Sequence, residues 1–221
     1  MYIEAVTTCV NYSDLLDLSI AENKRHFDRW VIVTTPNDTK TQELCQAHDV
    51  ECLQADVFGP KFNQCKAINF GIKNISKQGW ILSLDADILL PRNAKEIIEK
   101  NALEENILYG VPRINLTLGD CKYVNWITNW ASMRNDAPVN TMAGYFHLFH
   151  NSSFKPYYEE LPTVADKDFY FQSAFESWGV MPMYVFHFGE SNWAGRESPI
   201  YPEFSVGEKE AIYYKLEEVN K

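Results

Sequence analysis

Short runs rich in Ile, Val and Leu alternate with stretches of helical period along most of the chain. Residues 3–10, 30–35, 50–53 and 80–84 read as strands, the last of them apolar enough to be buried on both faces of a sheet. Between the first two, Leu15, Leu16, Leu18 and Ile20 recur at helical spacing behind Ser13, a residue suited to cap a helix. Between the third and fourth, Phe62, Cys65, Ile68, Ile72 and Ile75 do the same, after Gly59-Pro60 and before Gly79. Strand and helix alternating in this way build a parallel sheet with helices on its faces. The predicted fold class is α/β: a mostly parallel, twisted, Rossmann-like sheet flanked by helices in a single domain.

The second half is less regular. Asn93 stands where it can cap a short helix through Lys100, and residues 107–111 are strand-like. Residues 123–133 carry Trp126, Ile127, Trp130 and Met133 on one helical face, and 144–149 read as a strand. Phe171, Phe175 and Trp178 mark the buried stripe of a helix ended by Gly179, followed by a strand over 181–188. The charged tail from Gly207 reads as a peripheral helix. No repeat, low-complexity tract or flexible linker divides the chain.

Composition narrows the class. The 221 residues are 46% hydrophobic and 23% charged, which excludes fibrous and disordered chains. Lys and Arg number 20 against 30 Asp and Glu, a net charge of −10, so the surface as a whole repels polyanions such as duplex DNA. Cys9, Cys45, Cys52, Cys65 and Cys121 are odd in number and form no C-x-x-C pair, and they read as reduced thiols of a reducing compartment. The N-terminus lacks the charged and small-residue flanks of a secretory signal, and no apolar run reaches the length of a membrane span. The expected location is the cytoplasm of a bacterium or of a phage-infected host cell, without a transmembrane segment.

The sharpest chemical signal is WILSLDADILLP, an apolar strand that ends in Asp85-Ala86-Asp87. In extended chain two carboxylates at i and i+2 point the same way. At the carboxyl end of a strand in an open α/β sheet they suit a hard divalent cation, Mn²⁺ or Mg²⁺, whose remaining positions are filled by phosphate oxygens and water. Lys66 and Asn69 share a helix face and offer polar groups to a diphosphate, whereas Lys61 and Lys73 read as solvated. His187 ends another apolar strand and completes an oxygen-rich site suited to Mn²⁺, and Arg196 in the following Gly-bracketed loop can clamp phosphate. Asp166 and Asp168 open a helix, where the dipole favours carboxylates, and capping alone explains Asp166 better than Asp168.

These pieces in this order resemble the GT-A glycosyltransferases, most closely the family-2-type bacterial and phage members. The likeness runs from residue 3 to about 196: EAVTTCVNY, WVIVTTPND, KFNQCKAINFGI, LDADILLP as the D-x-D motif, AGYFHLFH, KDFYF and HFGESNWAGR. It implies a transferase domain over 1–206, with a nucleotide-sugar half to about residue 92 and an acceptor half beyond it, and a charged helix over 207–221. It further implies a nucleotide pocket near Thr8, Asn11, Tyr12, Thr35 and Asp38, a metal–diphosphate site at Asp85 and Asp87, and a base at Asp168. Lys167 stands where the family has the first acid of a pair. Counting from Asp168 to Gly179 matches the family's spacing from its catalytic acid to the glycine that closes the following helix.

The expected activity is therefore metal-dependent transfer of a hexosyl or pentosyl group from a nucleoside-diphosphate sugar, a UDP-sugar foremost, to a hydroxyl acceptor with inversion. A sugar nucleotidyltransferase would need a glycine-rich phosphate loop, and none is present. A non-catalytic nucleotide- or glycan-binding module with structural Ca²⁺ is the alternative outside enzymology, and a saccharide or a modified nucleobase in DNA are both open as acceptor. Tyr123, Trp126, Trp130, Tyr145, Tyr157 and Tyr158 are aromatic candidates for an acceptor groove.

Overall fold

A computed structural model describes residues 1–56, 63–101, 103–116, 144–160, 164–188, 198–200 and 203–221, with residues 164–167 by their backbone alone. The predicted strands and helices of the first half are present, with one helix, α2, that was not foreseen: β1 (Ile3–Thr8), α1 (Ser13–Asn23), β2 (Arg29–Thr34), α2 (Thr39–Ala47), β3 (Glu51–Gln54), α3 (Gln64–Asn74) and β4 (Trp80–Leu84). They are followed by β5 (Ile88–Leu89), α4 (Ala94–Lys100), β6 (Ile107–Gly110), β7 (Arg113–Leu116), β8 (Phe146–His150), α5 (Val164–Gln172), β9 (Ser177–Val180), β10 (Val185–Phe188) and α6 (Val206–Val219).

Two sheets carry the architecture. A seven-stranded sheet runs β3-β2-β1-β4-β8-β6-β9, and a three-stranded sheet runs β5-β10-β7. From β3 to β4 every pairing is parallel, β8 lies antiparallel to both of its neighbours, and β6 and β9 are again parallel. One face of the large sheet packs Val6, Val33, Ile81 and Phe149 against Ile68 and Ile72 of α3 and Phe171 of α5. The other face packs Ile3, Ala5, Ile32 and Leu82 against Leu16 and Ile20 of α1.

The opposite side of α1, with Leu15 and Leu18, meets Leu89, Ile114 and Phe186 of the small sheet and Ile212 and Leu216 of α6. Being wedged between two sheets explains why α1 is buried nearly all round, its polar Ser19, Glu22 and Asn23 included, rather than along one stripe. The same wedge places α1 under the D-x-D segment. Helix α6 begins with a capping box between Ser205 and Glu208, and its Tyr213 hydroxyl donates to the Leu18 carbonyl at 2.9 Å.

Several expectations are corrected. The N-cap of α1 is Tyr12, and Ser13 is its first helical residue. The helix carrying Phe171 ends at Gln172, and Ser177–Val180 form an edge strand instead. Trp178 is 52% exposed there rather than part of a buried stripe. Gly179 serves a strand: a Cβ on it would lie 2.5 Å from the Tyr109 ring of the register partner on β6, so only glycine lets that ring cross. The count from Asp168 to a helix-closing Gly179 therefore loses its basis. The last apolar strand is shorter than expected, and β5 and β7 were not foreseen. The expected helix over 123–133 lies outside the described residues, as does Cys121; the four described cysteines are free thiols.

Candidate active site

The site forms where β4 ends. Asp85 leaves the strand with its backbone N–H donating to the Tyr145 carbonyl at 3.0 Å, and the Ile88 N–H donates back to the Asp85 carbonyl at 3.3 Å. Ala86 and Asp87 thus sit in a turn, not in the extended conformation expected for the pair. Helix α1 holds the turn and strand from below: the Ser19 hydroxyl donates to the Ala86 carbonyl at 3.3 Å. Buried Asn23 donates to the Ile88 carbonyl at 2.7 Å and accepts from the Leu90 N–H at 2.9 Å.

The turn leads into β5, which pairs antiparallel with β10 so that Ile88 faces His187 in register, and the Phe188 N–H donates to the Asp87 carbonyl at 2.9 Å. That ladder brings His187 Nε2 to 3.5 Å from Asp87 Oδ2. Burial pushes the His187 pKa down, against the raising influence of Asp87, so the ring is neutral at physiological pH. Asp85 is pulled toward α3, its Oδ1 accepting from the Gln64 side-chain amide at 2.7 Å. Burial raises its pKa well above the carboxylate range, and the charges of Asp87 and Asp168 add to the rise.

Asp168, near the start of α5, lies close enough for its charge to raise the pKa of Asp85. Its Oδ2 accepts from the Gly144 N–H at 2.9 Å, and a Cβ at Gly144 would lie 2.3 Å from Oδ1. Burial outweighs that hydrogen bond and pushes its pKa up to about 6. One turn along the helix, Phe171 stacks on Tyr157 with centroids 3.8 Å apart and planes 5° from parallel, and on His147 at 5.2 Å. Tyr157 is held in turn by His147 Nδ1 at 2.9 Å from its hydroxyl, and by Asn69, which bonds both its backbone N–H and its carbonyl.

The sequence singled out Asp85, Asp87, Asp168 and His187, and the fold gathers them. It treats the other candidates differently. Asp38 is a buried N-cap of α2, accepting from Thr41 N at 3.2 Å, Thr41 Oγ1 at 2.7 Å, Thr34 Oγ1 at 3.2 Å and Asn11 N at 2.7 Å. It thereby fixes Asn11 at φ 61° at the end of β1, beside Thr8 and Tyr12. Thr35 is half-buried past the end of β2. Asn69 spends its amide on Tyr157 and on Glu159 Oε1, so it belongs to the scaffold as built. Lys66 lies in the first turn of α3, half-buried. Arg196 lies outside the described residues, and of Asp166 only the helical backbone is described. Among the aromatic candidates, Tyr145 and Tyr157 are buried, while Tyr158 is exposed beside Tyr170; Tyr123, Trp126 and Trp130 lie outside the described residues.

Three participants were missed: Gln64, Arg113 and Asn115. Arg113 lies 4.5 Å above the Tyr145 ring, and its charge lowers the pKa of Asp85 and of His187. The alternation of polar and apolar positions in Arg113-Ile114-Asn115-Leu116 was the available signal, since it puts both polar side chains on one face of a strand.

Among the described residues no three His, Cys, Asp or Glu side chains converge as a ready-made metal cage. Asp87 and His187 nevertheless form a mixed oxygen and nitrogen pair, the kind of partial donor set that a cation bound mainly through phosphate oxygens and water requires. No described helix is long and apolar enough to cross a membrane.

No family model and no curated protein matches the chain. Solved structures do match in fold. Glucosyl-3-phosphoglycerate synthase from Mycobacterium tuberculosis, in complex with Mn²⁺, UDP-glucose and phosphoglyceric acid, is 12% identical with a TM-score of 0.53 over 86% of this chain and 73% of that one. Its complex with Mn²⁺, UDP and phosphoglyceric acid gives 10% identity and a TM-score of 0.52 over 99% and 76%. Mannosyl-3-phosphoglycerate synthase from Rubrobacter xylanophilus gives 13% and 0.50 over 87% and 68%. At such identity the likeness is one of fold: an α/β domain of the GT-A type on a mostly parallel sheet.

Proposed function

We propose that this chain is a glycosyltransferase that moves a sugar from a nucleoside-diphosphate sugar, a UDP-sugar foremost, to a hydroxyl acceptor with inversion, using Mn²⁺ or Mg²⁺. The observation that carries the reading is the meeting of Asp85, Asp87 and His187 at the carboxyl end of the central strand, with Asp168 near enough for its charge to act on Asp85. Solved structures of the same fold in complex with Mn²⁺ and UDP-glucose support it.

Asp87 and His187 would hold the cation, with Asp85 beside them oriented by Gln64. Bound there, a divalent ion supplies neutralisation of the leaving diphosphate. Asp168 takes the acceptor proton as general base; its pKa of about 6 leaves it mostly ionised at neutral pH yet more basic than an ordinary carboxylate. A single in-line displacement needs that base across from the leaving group, which makes inversion the outcome. Thr8, Asn11, Tyr12 and Thr35 flank the nucleotide, with Asp38 behind them holding Asn11 in place; Lys66 lies on its diphosphate side, with Asn69 behind it in the scaffold, and Arg196 would clamp phosphate. The four free described thiols favour a reducing, cytoplasmic location.

Incubating the protein with a panel of sugar nucleotides and Mn²⁺, without acceptor, tests this. The expected result is slow release of nucleoside diphosphate from one donor, abolished by chelator and by Asp87→Ala. Binding of a donor without any release would leave a binding module in place of an enzyme.

A further inference from the structure

Three buried polar atoms of the small sheet have no hydrogen-bond partner among the described residues: Arg113 Nε, Asn115 Oδ1 and His187 Nδ1. Such atoms are costly and rare in folded proteins, so a concentration of them calls for a cause. Two of the three stand on register partners. Asn115 on β7 lies directly opposite His187 on the parallel strand β10. Directly opposed residues leave a sheet on the same face, and the intervening Ile114, Phe186 and Phe188 belong to the core on the other face.

The two orphaned atoms are chemically matched. The amide oxygen of asparagine only accepts, and Nδ1 of a neutral imidazole donates in one of its two tautomers. In that tautomer Nε2, which lies 3.5 Å from Asp87 Oδ2, carries the lone pair. We propose that Asn115 is a positioning residue whose amide oxygen accepts from His187 Nδ1–H, holding the imidazole in the tautomer that offers Nε2 as a ligand to a divalent cation beside Asp87. This rests on the reading of His187 as a metal ligand given above and adds the group that prepares it.

With both strands fixed by their ladder, the pair closes through rotation of the Asn115 side chain between staggered rotamers, a motion the assignment requires. A neutral acceptor suits the place better than a carboxylate: Asp85 and Asp87 already repel each other there, and a further charge would raise that cost. Histidines that bind metals commonly donate their other N–H in this way, and loss of the acceptor weakens metal binding about 10–100-fold.

Nitrogen-15 NMR of histidine-labelled, metal-free protein at mildly alkaline pH reads the tautomer directly. The expected result is Nδ1–H at His187 in the wild type and in Asn115→Asp, and a shift toward Nε2–H in Asn115→Leu. Calorimetry of Mn²⁺ binding in the presence of UDP should show a loss of about 10–100-fold in Asn115→Leu, with no added loss when His187→Ala is already present. An unchanged tautomer in Asn115→Leu, or an equal loss of affinity in the His187→Ala background, overturns the assignment. Unaltered Mn²⁺ affinity in His187→Ala would instead overturn the metal reading of His187, and the metal-free tautomer would still decide the role of Asn115. Should the Leu variant fail to fold, Asn115→Ser shortens the side chain beyond reach and serves the same comparison.

Discussion

Polar side chains lead opposite lives in the two halves of the molecule. In the half built from β1 to β4, most are consumed by the fold, with buried His26 Nε2 the exception among the described residues. Glu4 is fully buried, yet its carboxylate accepts from the N–H groups of Ser76, Lys77 and Gln78 and so closes the turn after α3. Asp38 and Asn69 are equally occupied. Around the ends of β4, β7 and β10, by contrast, buried polar atoms of Arg113, Asn115 and His187 lack partners among the described residues, and the pKa values of Asp85 and Asp168 are raised. Saturated polar groups fix geometry, whereas unsatisfied or electrostatically strained ones are held in reserve for a ligand or a proton. The contrast separates scaffold from chemistry among residues that look alike in sequence.

The largest test of that contrast is Asp168→Asn. The amide keeps the shape and can still accept from Gly144 N–H, but it cannot take a proton. Turnover should fall by roughly two to four orders of magnitude with donor affinity little changed. Stability should move the other way. Because the folded pKa of about 6 lies above that of an ordinary carboxylate, ionising Asp168 penalises the native state, a penalty absent in acid and complete above pH about 6. The Asn variant should therefore melt higher than wild type at neutral pH, as expected where a side chain is placed for function at the expense of stability. A variant that loses stability and keeps its turnover would move Asp168 into the scaffold class.

Gly144→Ala sharpens the same comparison without removing any functional group. A Cβ 2.3 Å from Asp168 Oδ1 must push the carboxylate off its hydrogen bond. Misplacing a reacting group by about an ångström costs on the order of 10–100-fold in rate. The Gly144 bond lowers the Asp168 pKa, so losing it should also carry the rising limb of the pH–rate profile from about 6 to higher pH. Measuring that profile separates displacement of the base from general damage.

How far the sequence foretold this division depended on how local the physics was. Strands β1, β2 and β4 were legible because burial on both faces leaves continuous apolar runs. Asp85, Asp87 and His187 were legible because each follows or ends such a run. Asp38 and Asn69 look like ligand contacts in the sequence, and only their hydrogen-bond partners at distant positions reveal what they do. Trp178 and Gly179 misled for a related reason: an edge strand of four residues has no periodicity long enough to oppose a helical pattern. Arg113 and Asn115 went unnoticed because their alternation with Ile114 and Leu116 marks a strand face but not the pairing with β10, about seventy residues on, that brings this face into the site.

On the scaffold side, Asp38→Ala should behave in the opposite manner to Asp168→Asn. It removes an N-cap and leaves the buried Thr34 and Thr41 hydroxyls and the Asn11 N–H without their acceptor. A loss of about 2 kcal/mol is expected in urea unfolding. If Asp38 is scaffold alone, donor affinity among molecules that remain folded should change little; a loss of affinity larger than the loss of stability would restore Asp38 to the nucleotide pocket.

The smallest effect belongs to Tyr157, which stands at the border of the two classes. Its ring supports the helix that carries Asp168 by stacking on Phe171, while its hydroxyl meets His147 Nδ1 at 2.9 Å and also bonds Ser83. Tyr157→Phe keeps the stack and the backbone bonds to Asn69, and removes the hydroxyl alone. Its expected cost is about 1 kcal/mol of stability, the usual net worth of a buried hydrogen bond. Because Phe171 stays in place, Asp168 should keep its position and turnover should remain within a few-fold of wild type. Tyr157→Leu would lose the stack as well, and a drop in turnover there but not in the Phe variant would assign the positioning of Asp168 to the ring rather than to the hydrogen bonds. Equal losses in both variants would assign it to the hydroxyl, and the buried polar pair of Tyr157 and His147 would then belong with the chemistry rather than with the frame.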